Sequence, residues 1–142
     1  MLKQLSKVFS VGALVLGIFS SAPISATVPT TPPEGAKLYS VITYKGEESI
    51  QNVLNGKISA TIRKGLRYFE NEVSLIDDTN AKVHGTLMIQ SVDYIKLDQI
   101  SEELAAASSG GQSAEQVKAG LVAIYGEEIK KADLTSVHFR LK

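Results

Sequence analysis

Residues Asn52–Gly65 read NVLNGKISATIRKG, which joins the end of a helix to a short strand through one glycine. Gly56 stands where a helix C-cap belongs, because glycine adopts the left-handed conformation of that position without steric penalty. The residues that follow, Ser59–Arg63, favour an extended backbone. The helix before the glycine, Gly46–Asn55, places three apolar residues on one stripe, namely Ile50, Val53 and Leu54. This stretch therefore predicts a helix that is followed at once by a strand.

The residues on both sides of this stretch predict further strands. Leu38–Tyr44 is rich in β-branched and aromatic residues, as is typical of a strand. Glu72–Ile76 alternates apolar and polar residues and runs into a turn at Asp77–Asn80. Val83–Leu97 is too long for one simple strand, and its alternation slips by one residue near Ser91. That slip predicts a bulge or a bend.

The last third of the chain predicts two helices. Asp98 is expected to cap a helix that runs to about Ala107. A capping-box pattern of Ser113 and Gln116 begins the second helix, and Gly126 ends it. The residues expected to face the core are Ile100 and Leu104 in the first helix, and Val117, Leu121, Ile124 and Tyr125 in the second.

With a closing strand at Leu134–Leu141, this order of elements predicts an α+β, barrel-like domain. Several strings also resemble the ASCH domains, a branch of the PUA-like β-barrels. Gly56, Thr61 and Arg63 occupy positions that match the glycine, threonine and arginine of the ASCH signature. The other similar strings are NEVSLID (71–77), KLDQISEELAA (96–106), LVAIYGEEI (121–129) and SVHFRL (136–141). The resemblance implies a PUA-like (ASCH) mixed β-barrel with two to three helices over residues 37–142.

The resemblance also implies a binding function. ASCH and related PUA-like domains are thought to bind RNA or modified nucleosides in a cleft beside the strand that carries the threonine and the arginine. Four positive charges lie between residues 57 and 67, and an aromatic residue follows them, a composition that suits phosphate pairing and base stacking. The expected ligand-binding residues are Lys57, Ser59, Thr61, Arg63, Arg67 and Tyr68. A solvated surface loop is the alternative interpretation of the same charges.

One bacterial branch of the family hydrolyses the acyl amide of N4-acetylcytidine with a lysine, a threonine and a glutamate. The threonine corresponds to Thr61, whereas the lysine position falls on Ile58, with Lys57 one place earlier. The glutamate position falls near Ser108, where no acid is present. Amide hydrolysis needs a proton-transfer group and an oxyanion stabiliser in addition to a nucleophile.

The sequence therefore favours a non-catalytic module that binds a nucleoside-like or anionic ligand, or single-stranded RNA or DNA. Two alternatives stay open. One is a protein-interaction domain without a small ligand, and the other is an amidohydrolase or nuclease with a rearranged site built on Thr61 and Lys57. The oligomeric state is left open.

The N-terminus has the three parts of a secretory signal. Lys3 and Lys7 precede the apolar run Val8–Phe19, and small residues lead to Ala26. The run is shorter than the roughly 20 apolar residues that a membrane span needs. We expect residues 1–26 to be a cleaved signal, residues 27–36 to be a Pro-rich linker, and the mature protein to be periplasmic or secreted without stable membrane insertion.

Composition narrows the possible chemistry. The chain has no cysteine, so disulfides, thiol catalysis and thiolate metal sites are excluded. The formal net charge is zero, and removal of the signal also removes two lysines, so no global basic field attracts nucleic acid. The two histidines, His84 and His138, have no short-spaced partner, so the sequence predicts neither a metal site nor a cofactor.

Overall fold

The computed structural model describes residues 31–142. The predicted signal at residues 1–26 and the first part of the predicted linker lie outside the described residues. No helix within residues 31–142 is long and apolar enough to span a membrane. The strands are β1 (Lys37–Tyr44), β2 (Ala60–Lys64), β3 (Arg67–Asp77), β4 (Lys82–Ile95) and β5 (Leu134–Leu141), and the α-helices are α1 (Glu47–Leu54), α2 (Glu102–Ser109) and α3 (Ala114–Tyr125). Two 3₁₀ turns, Leu97–Gln99 and Glu127–Lys130, follow β4 and α3.

The five strands form one mixed sheet in the order β1-β3-β4-β5-β2. β1 pairs with β3 in parallel, and the other three pairs are antiparallel. The sheet curls into a half-barrel whose edge strands are β1 and β2. This architecture confirms the expected α+β class and the mixed, barrel-like sheet with its helices.

The core has two parts, which follow the side-chain alternation of the strands. Ile50 and Val53 of α1 pack with strand residues such as Leu75 and Phe139 in the first part. In the second part, Leu104 of α2 and neighbouring helical residues pack against the opposite side of β2 and β5. Successive side chains point to opposite faces of a strand, so the two parts of the core lie on opposite faces of the sheet. Helix α1 covers one face, and α2 and α3 cover the other.

The predicted slip in the fourth strand is a β-bulge, as expected. β4 is continuous from Lys82 to Ile95, and Ile89 pairs with Phe139 while Ser91 pairs with His138. Gln90 is therefore the extra residue on β4. The bulge keeps Leu87, Ile89 and Val92 in the same part of the core although their spacing is irregular.

Two predictions about the helices are wrong, the first for a local reason and the second because of tertiary packing. Asp98 does not cap α2, because it lies in the 3₁₀ turn, and Ser101 caps the helix by accepting a hydrogen bond from the Leu104 amide at 3.1 Å. Ile124 and Tyr125 do not face inward. Ile124 is 74% exposed and Tyr125 is 36% exposed, because α3 buries only its first turns against α2. The capping box of Ser113 and Gln116 is present as predicted.

A buried threonine fixes the tight turn between β2 and β3. The Thr135 hydroxyl donates to the Gly65 carbonyl at 2.7 Å and accepts from the Arg67 amide at 3.0 Å. Thr135 is fully buried, so neither backbone group can replace this partner with water at low cost. The turn also explains why β3 starts at Arg67, five residues before the predicted strand.

Thr135→Val should therefore destabilise the protein although valine has nearly the same shape. Two partly buried backbone groups would lose their partner, and we expect a loss of about 2–4 kcal/mol in the free energy of unfolding. Urea denaturation measures this loss. The same change at the partly buried Thr86 of β4 is the control and should stay within about 0.5 kcal/mol of wild type. A small and equal effect at both positions would contradict this role for Thr135.

Candidate functional site

A cleft of about 220 Å³ lies between β2 and the α2–α3 pair. Polar groups from both sides meet apolar residues of α3 in this cleft. Its lining residues are Thr61, Ile62, Ser108, Ser109, Gln112, Val117, Gly120, Leu121 and Ile124. Thr61 and Ser108, which the family resemblance associates with the threonine and glutamate positions, are thus brought into one cleft.

Backbone bonds on both sides hold Thr61 at the cleft. The Ile58 amide donates to the Asn52 carbonyl and the Ser59 amide donates to the Ala107 carbonyl, both at 2.9 Å. These bonds tie the start of β2 to α1 and α2, and antiparallel pairing with β5 then aligns Thr61 with Val137. Thr61 is 4% exposed, so its position depends on packing and not on solvent.

The serine hydroxyls of the cleft have no basic partner. Ser108 and Ser109 both donate to the Ala105 carbonyl, at 3.2 and 2.6 Å. Ser109 also accepts a hydrogen bond from the Gln112 amide at 2.9 Å, which orders the loop after α2. The described lining contains no carboxylate and no imidazole, so it offers hydrogen bonds to a ligand but no general base.

Arg63 lies beside the cleft and connects the two edge strands of the sheet. Its Nη2 donates to the Thr43 carbonyl of β1 at 2.6 Å, and its Nε donates to the Thr61 hydroxyl at 2.7 Å. The guanidinium carbon also lies 5.2 Å from the centre of the Tyr44 ring. Arg63 therefore has structural partners on both strands, and Thr61 accepts a charge-assisted hydrogen bond.

Tyr44 completes the same connection. Its hydroxyl donates to the Ala60 carbonyl of β2 at 3.3 Å. Burial raises the pKa of Tyr44 above its ordinary value, while its hydrogen bond with Thr61 and the charge of Arg63 oppose that rise. Burial dominates, so the neutral phenol is the form that the fold favours.

The predicted basic residues do not form one surface. Arg67 stacks on Tyr39, 4.6 Å from the ring centre, and shares with Arg63 a small hollow of about 80 Å³ beside β1. Lys57 is exposed, and its aliphatic stem lies close to Gly110, where an added Cβ would come within 3.4 Å of two stem carbons. Lys57 therefore lies next to the loop that closes the cleft.

Two other predicted residues lie away from the cleft lining. Ser59 borders a different hollow with Phe139 and Arg140, on the α1 side of the barrel. Tyr68 is close enough to Tyr94 to contribute electrostatically to its raised pKa, for which burial is the main cause. Ile58, at the family's lysine position, is 7% exposed and belongs to the core.

Sequence reasoning missed the rim of the cleft at the end of α3. The Lys64 ammonium lies 5.5 Å from the centre of the Tyr125 ring, and Tyr125 follows the cleft residue Ile124. Gln112, in the loop between α2 and α3, was also missed. The signal that could have indicated the rim is the placement of two large apolar residues in the last turn before Gly126, beyond the reach of α2.

No family model matches the chain, and no curated protein matches it significantly. The crystal structure of an ASCH domain from Lactobacillus crispatus superposes with a TM-score of 0.57 and 16% sequence identity, over 75% of this chain and 79% of that one. The chain has the fold of an ASCH domain.

Two further solved structures share the fold of this chain. Protein EF3133 from Enterococcus faecalis, of the DUF984 family, superposes with a TM-score of 0.52 and 17% identity, over 68% of this chain and 71% of that one. The hypothetical protein PH0355 superposes with a TM-score of 0.55 and 16% identity, over 75% of this chain and 99% of that one. At these identities the similarity concerns the fold alone.

Tyr44 makes the stability of this ASCH fold sensitive to alkaline pH. The pKa of Tyr44 is raised in the folded protein, so the neutral phenol contributes its full stabilisation of the fold below pH 10. This contribution is lost as the pH rises through the pKa that Tyr44 has in the folded state. We expect the loss of unfolding free energy between pH 8 and pH 11 to be smaller in Tyr44→Phe than in wild type. Urea denaturation at both pH values measures it. The control Tyr125→Phe, at an exposed ring, should keep the wild-type loss, and an unchanged loss in Tyr44→Phe would contradict the assignment.

Proposed function

We propose that this protein is an exported, non-catalytic binding module that holds a nucleobase in the cleft between β2 and the α2–α3 pair. The base would belong to a nucleoside or to single-stranded RNA or DNA. The observation that carries the proposal is that the side chains of Ser108, Ser109 and Gln112 line one cleft together with apolar residues of α3, while Thr61 forms part of its β2 wall. Ligand sites typically combine a concave apolar surface with a few polar groups that orient the ligand.

The size of the cleft favours a single ring system. Its volume of about 220 Å³ lies below the range of about 300–1,000 Å³ that drug-sized ligands occupy. Val117 and Leu121 offer apolar contact to a flat ring. The side-chain amide of Gln112 offers both hydrogen-bond donors and an acceptor, as does the edge of a nucleobase.

The rim supplies the positive charge and the aromatic ring that a nucleotide strand needs. Lys64 and Tyr125 lie at one end of the cleft, and Lys57 lies beside the loop that closes the other side. Aromatic rings stack on bases whatever their sequence, while lysines pair with the phosphates. Arg63, in contrast, uses its Nε and Nη2 donors for the Thr61 hydroxyl and the Thr43 carbonyl.

The proposed function is non-catalytic because the described lining of the cleft has no group that could transfer a proton. Thr61 accepts a hydrogen bond from Arg63, and both cleft serines donate to a carbonyl. None of these hydroxyls has a base that could activate it as a nucleophile. We therefore expect purified protein to leave N4-acetylcytidine unchanged, with no turnover above a Thr61→Ala control.

The test is a titration of the purified protein with a labelled single-stranded RNA oligonucleotide at several salt concentrations. Tyr125→Ala should weaken binding about tenfold or more, since stacking is worth about 1–3 kcal/mol per base. Lys64→Gln should weaken binding and lower the slope of log K against log salt by about 0.7. Fluorescence anisotropy measures both effects, and NMR shifts of Gln112 report nucleoside binding in parallel.

Matched controls separate the cleft from general charge. Lys82→Gln removes an exposed lysine from the β3–β4 hairpin, which does not line the cleft, and should leave the affinity and the slope unchanged. Arg63→Ala is a poor probe, because it would break the connection between β1 and β2. Absence of binding, or equal losses in Lys82→Gln and Lys64→Gln, would contradict the proposal and favour a protein partner at the exposed Ile124.

Export is the second part of the proposal, and it rests on the N-terminal sequence. We expect a bacterial cell that expresses the full chain to release or store outside its cytoplasm a protein that starts at Thr27. Cell fractionation and N-terminal sequencing measure this. A full-length chain that begins at Met1 in the cytoplasm would contradict it.

A further inference from the structure

A second cluster of polar side chains lies where β3, β4 and α1 meet, away from the lining of the cleft. Glu47 is the first residue of α1, Asp77 is the last residue of β3, and His84 lies near the start of β4. One ligand-type atom of each side chain lies within 4.8 Å of the other two. The sequence predicted no metal site, because these residues are 7 and 30 positions apart and only the hairpin and the β1–α1 connection bring them together.

A β-bulge gives His84 its position. Leu75 pairs with Gly85 and Ile76 pairs with Val83, so His84 is the extra residue on β4 with no partner on β3. Bulges redirect a side chain and are frequent beside functional sites. The Nε2 atom of His84 is buried and has no hydrogen-bond partner among the described residues. A buried imidazole nitrogen without a partner is unusual and points to a missing one.

The carboxylate of Asp77 is buried and held in one orientation. Asp77 is 2% exposed, and its Oδ1 accepts hydrogen bonds from the Thr79 hydroxyl at 2.7 Å and the Thr79 amide at 2.9 Å. The Gly46 amide donates to the same oxygen at 3.3 Å. These bonds keep the pKa of Asp77 below its ordinary value, led by the Thr79 hydroxyl. Oδ1 is therefore engaged, and Oδ2 is the oxygen left for another partner.

Glu47 supplies the third group from the solvent side. Its Oε2 accepts from Gln51 at 3.0 Å, and the side chain is exposed, so it can adjust its position. Ligands of one tetrahedral ion with bonds of about 2.0–2.2 Å lie roughly 3.4 Å apart. The three ligand atoms lie within 4.8 Å of one another, so the exposed Glu47 side chain needs to move only a short distance to bind the same ion.

We propose that Glu47, Asp77 and His84 bind one divalent transition-metal ion of the zinc class. One imidazole and two carboxylates match the ligand preferences of Zn²⁺, whereas Ca²⁺ and Mg²⁺ prefer oxygen ligands alone. Two carboxylates neutralise the charge of the ion. Three protein ligands leave one tetrahedral position for water or an anionic group. The hydrogen bonds to Asp77 orient its carboxylate, as outer-shell partners do in known metal sites.

The test is calorimetric titration of the purified protein with Zn²⁺ and, separately, with Mg²⁺ in a non-chelating buffer. We expect one saturable Zn²⁺ site and at least about tenfold weaker binding of Mg²⁺. His84→Gln and Glu47→Gln should each weaken Zn²⁺ binding at least about tenfold. Glu47 is exposed, so this variant keeps the measurement valid even where changes at Asp77 or His84 impair folding.

The controls are residues of the same type that lie outside the cluster. His138→Gln, Glu48→Gln and Asp78→Asn should each bind Zn²⁺ as wild type does. In addition, a fixed excess of Zn²⁺ should raise the melting temperature of wild type more than that of Glu47→Gln. No saturable Zn²⁺ binding to wild type, or equal losses in His84→Gln and His138→Gln, would overturn the proposal. Because none of these residues lines the cleft, the outcome is independent of nucleobase binding.

Discussion

The two edge strands of the sheet are connected by side chains instead of a backbone ladder, and the rest of the architecture depends on that connection. Arg63 on β2 donates to the Thr43 carbonyl of β1, and Tyr44 on β1 donates to the Ala60 carbonyl of β2. Edge strands with unpaired backbone groups are liable to add foreign strands. Here two reciprocal bonds, with the guanidinium on the Tyr44 ring, satisfy part of that edge. Without them the half-barrel could open at β1 and β2.

This connection also decides which charges are available to a ligand. Arg63 and Arg67 are both used on the β1 side of the barrel, against Thr43 and Tyr39. Lys57 and Lys64 remain on the side of the α2–α3 pair, where the cleft lies. Thr61 lies between the two sides and accepts from Arg63. Arg63 and Lys64 are neighbours on β2 and thus lie on different sides of the sheet, because successive residues of a strand point to opposite faces.

Irregularities in the strands have functional meaning of different kinds. The bulge at Gln90 preserves packing, since it returns Val92 to the core after Ile89. The bulge at His84 does the opposite, because it takes a polar side chain out of the alternation and turns it toward Asp77 and Glu47. The sequence indicated the bulge at Gln90 by a slip in the hydrophobic pattern. The second left no such slip, because Val83 and His84 are both compatible with a strand terminus.

The sequence by itself determined the order of the elements, the α+β class and the resemblance to ASCH domains, since hydrophobic period, capping residues and glycines act locally. The same local rules placed the bulge near Ser91 and the capping box at Ser113. They erred at Asp98, because Ser101 is the local residue that caps α2, and at Ile124, because the packing of α3 on α2 does not extend to the last turn. Only the tertiary structure decided that Arg63 connects two edge strands and that His84 meets Asp77 and Glu47. Such contacts join residues far apart in the chain, and no local preference specifies which distant partner a side chain will meet.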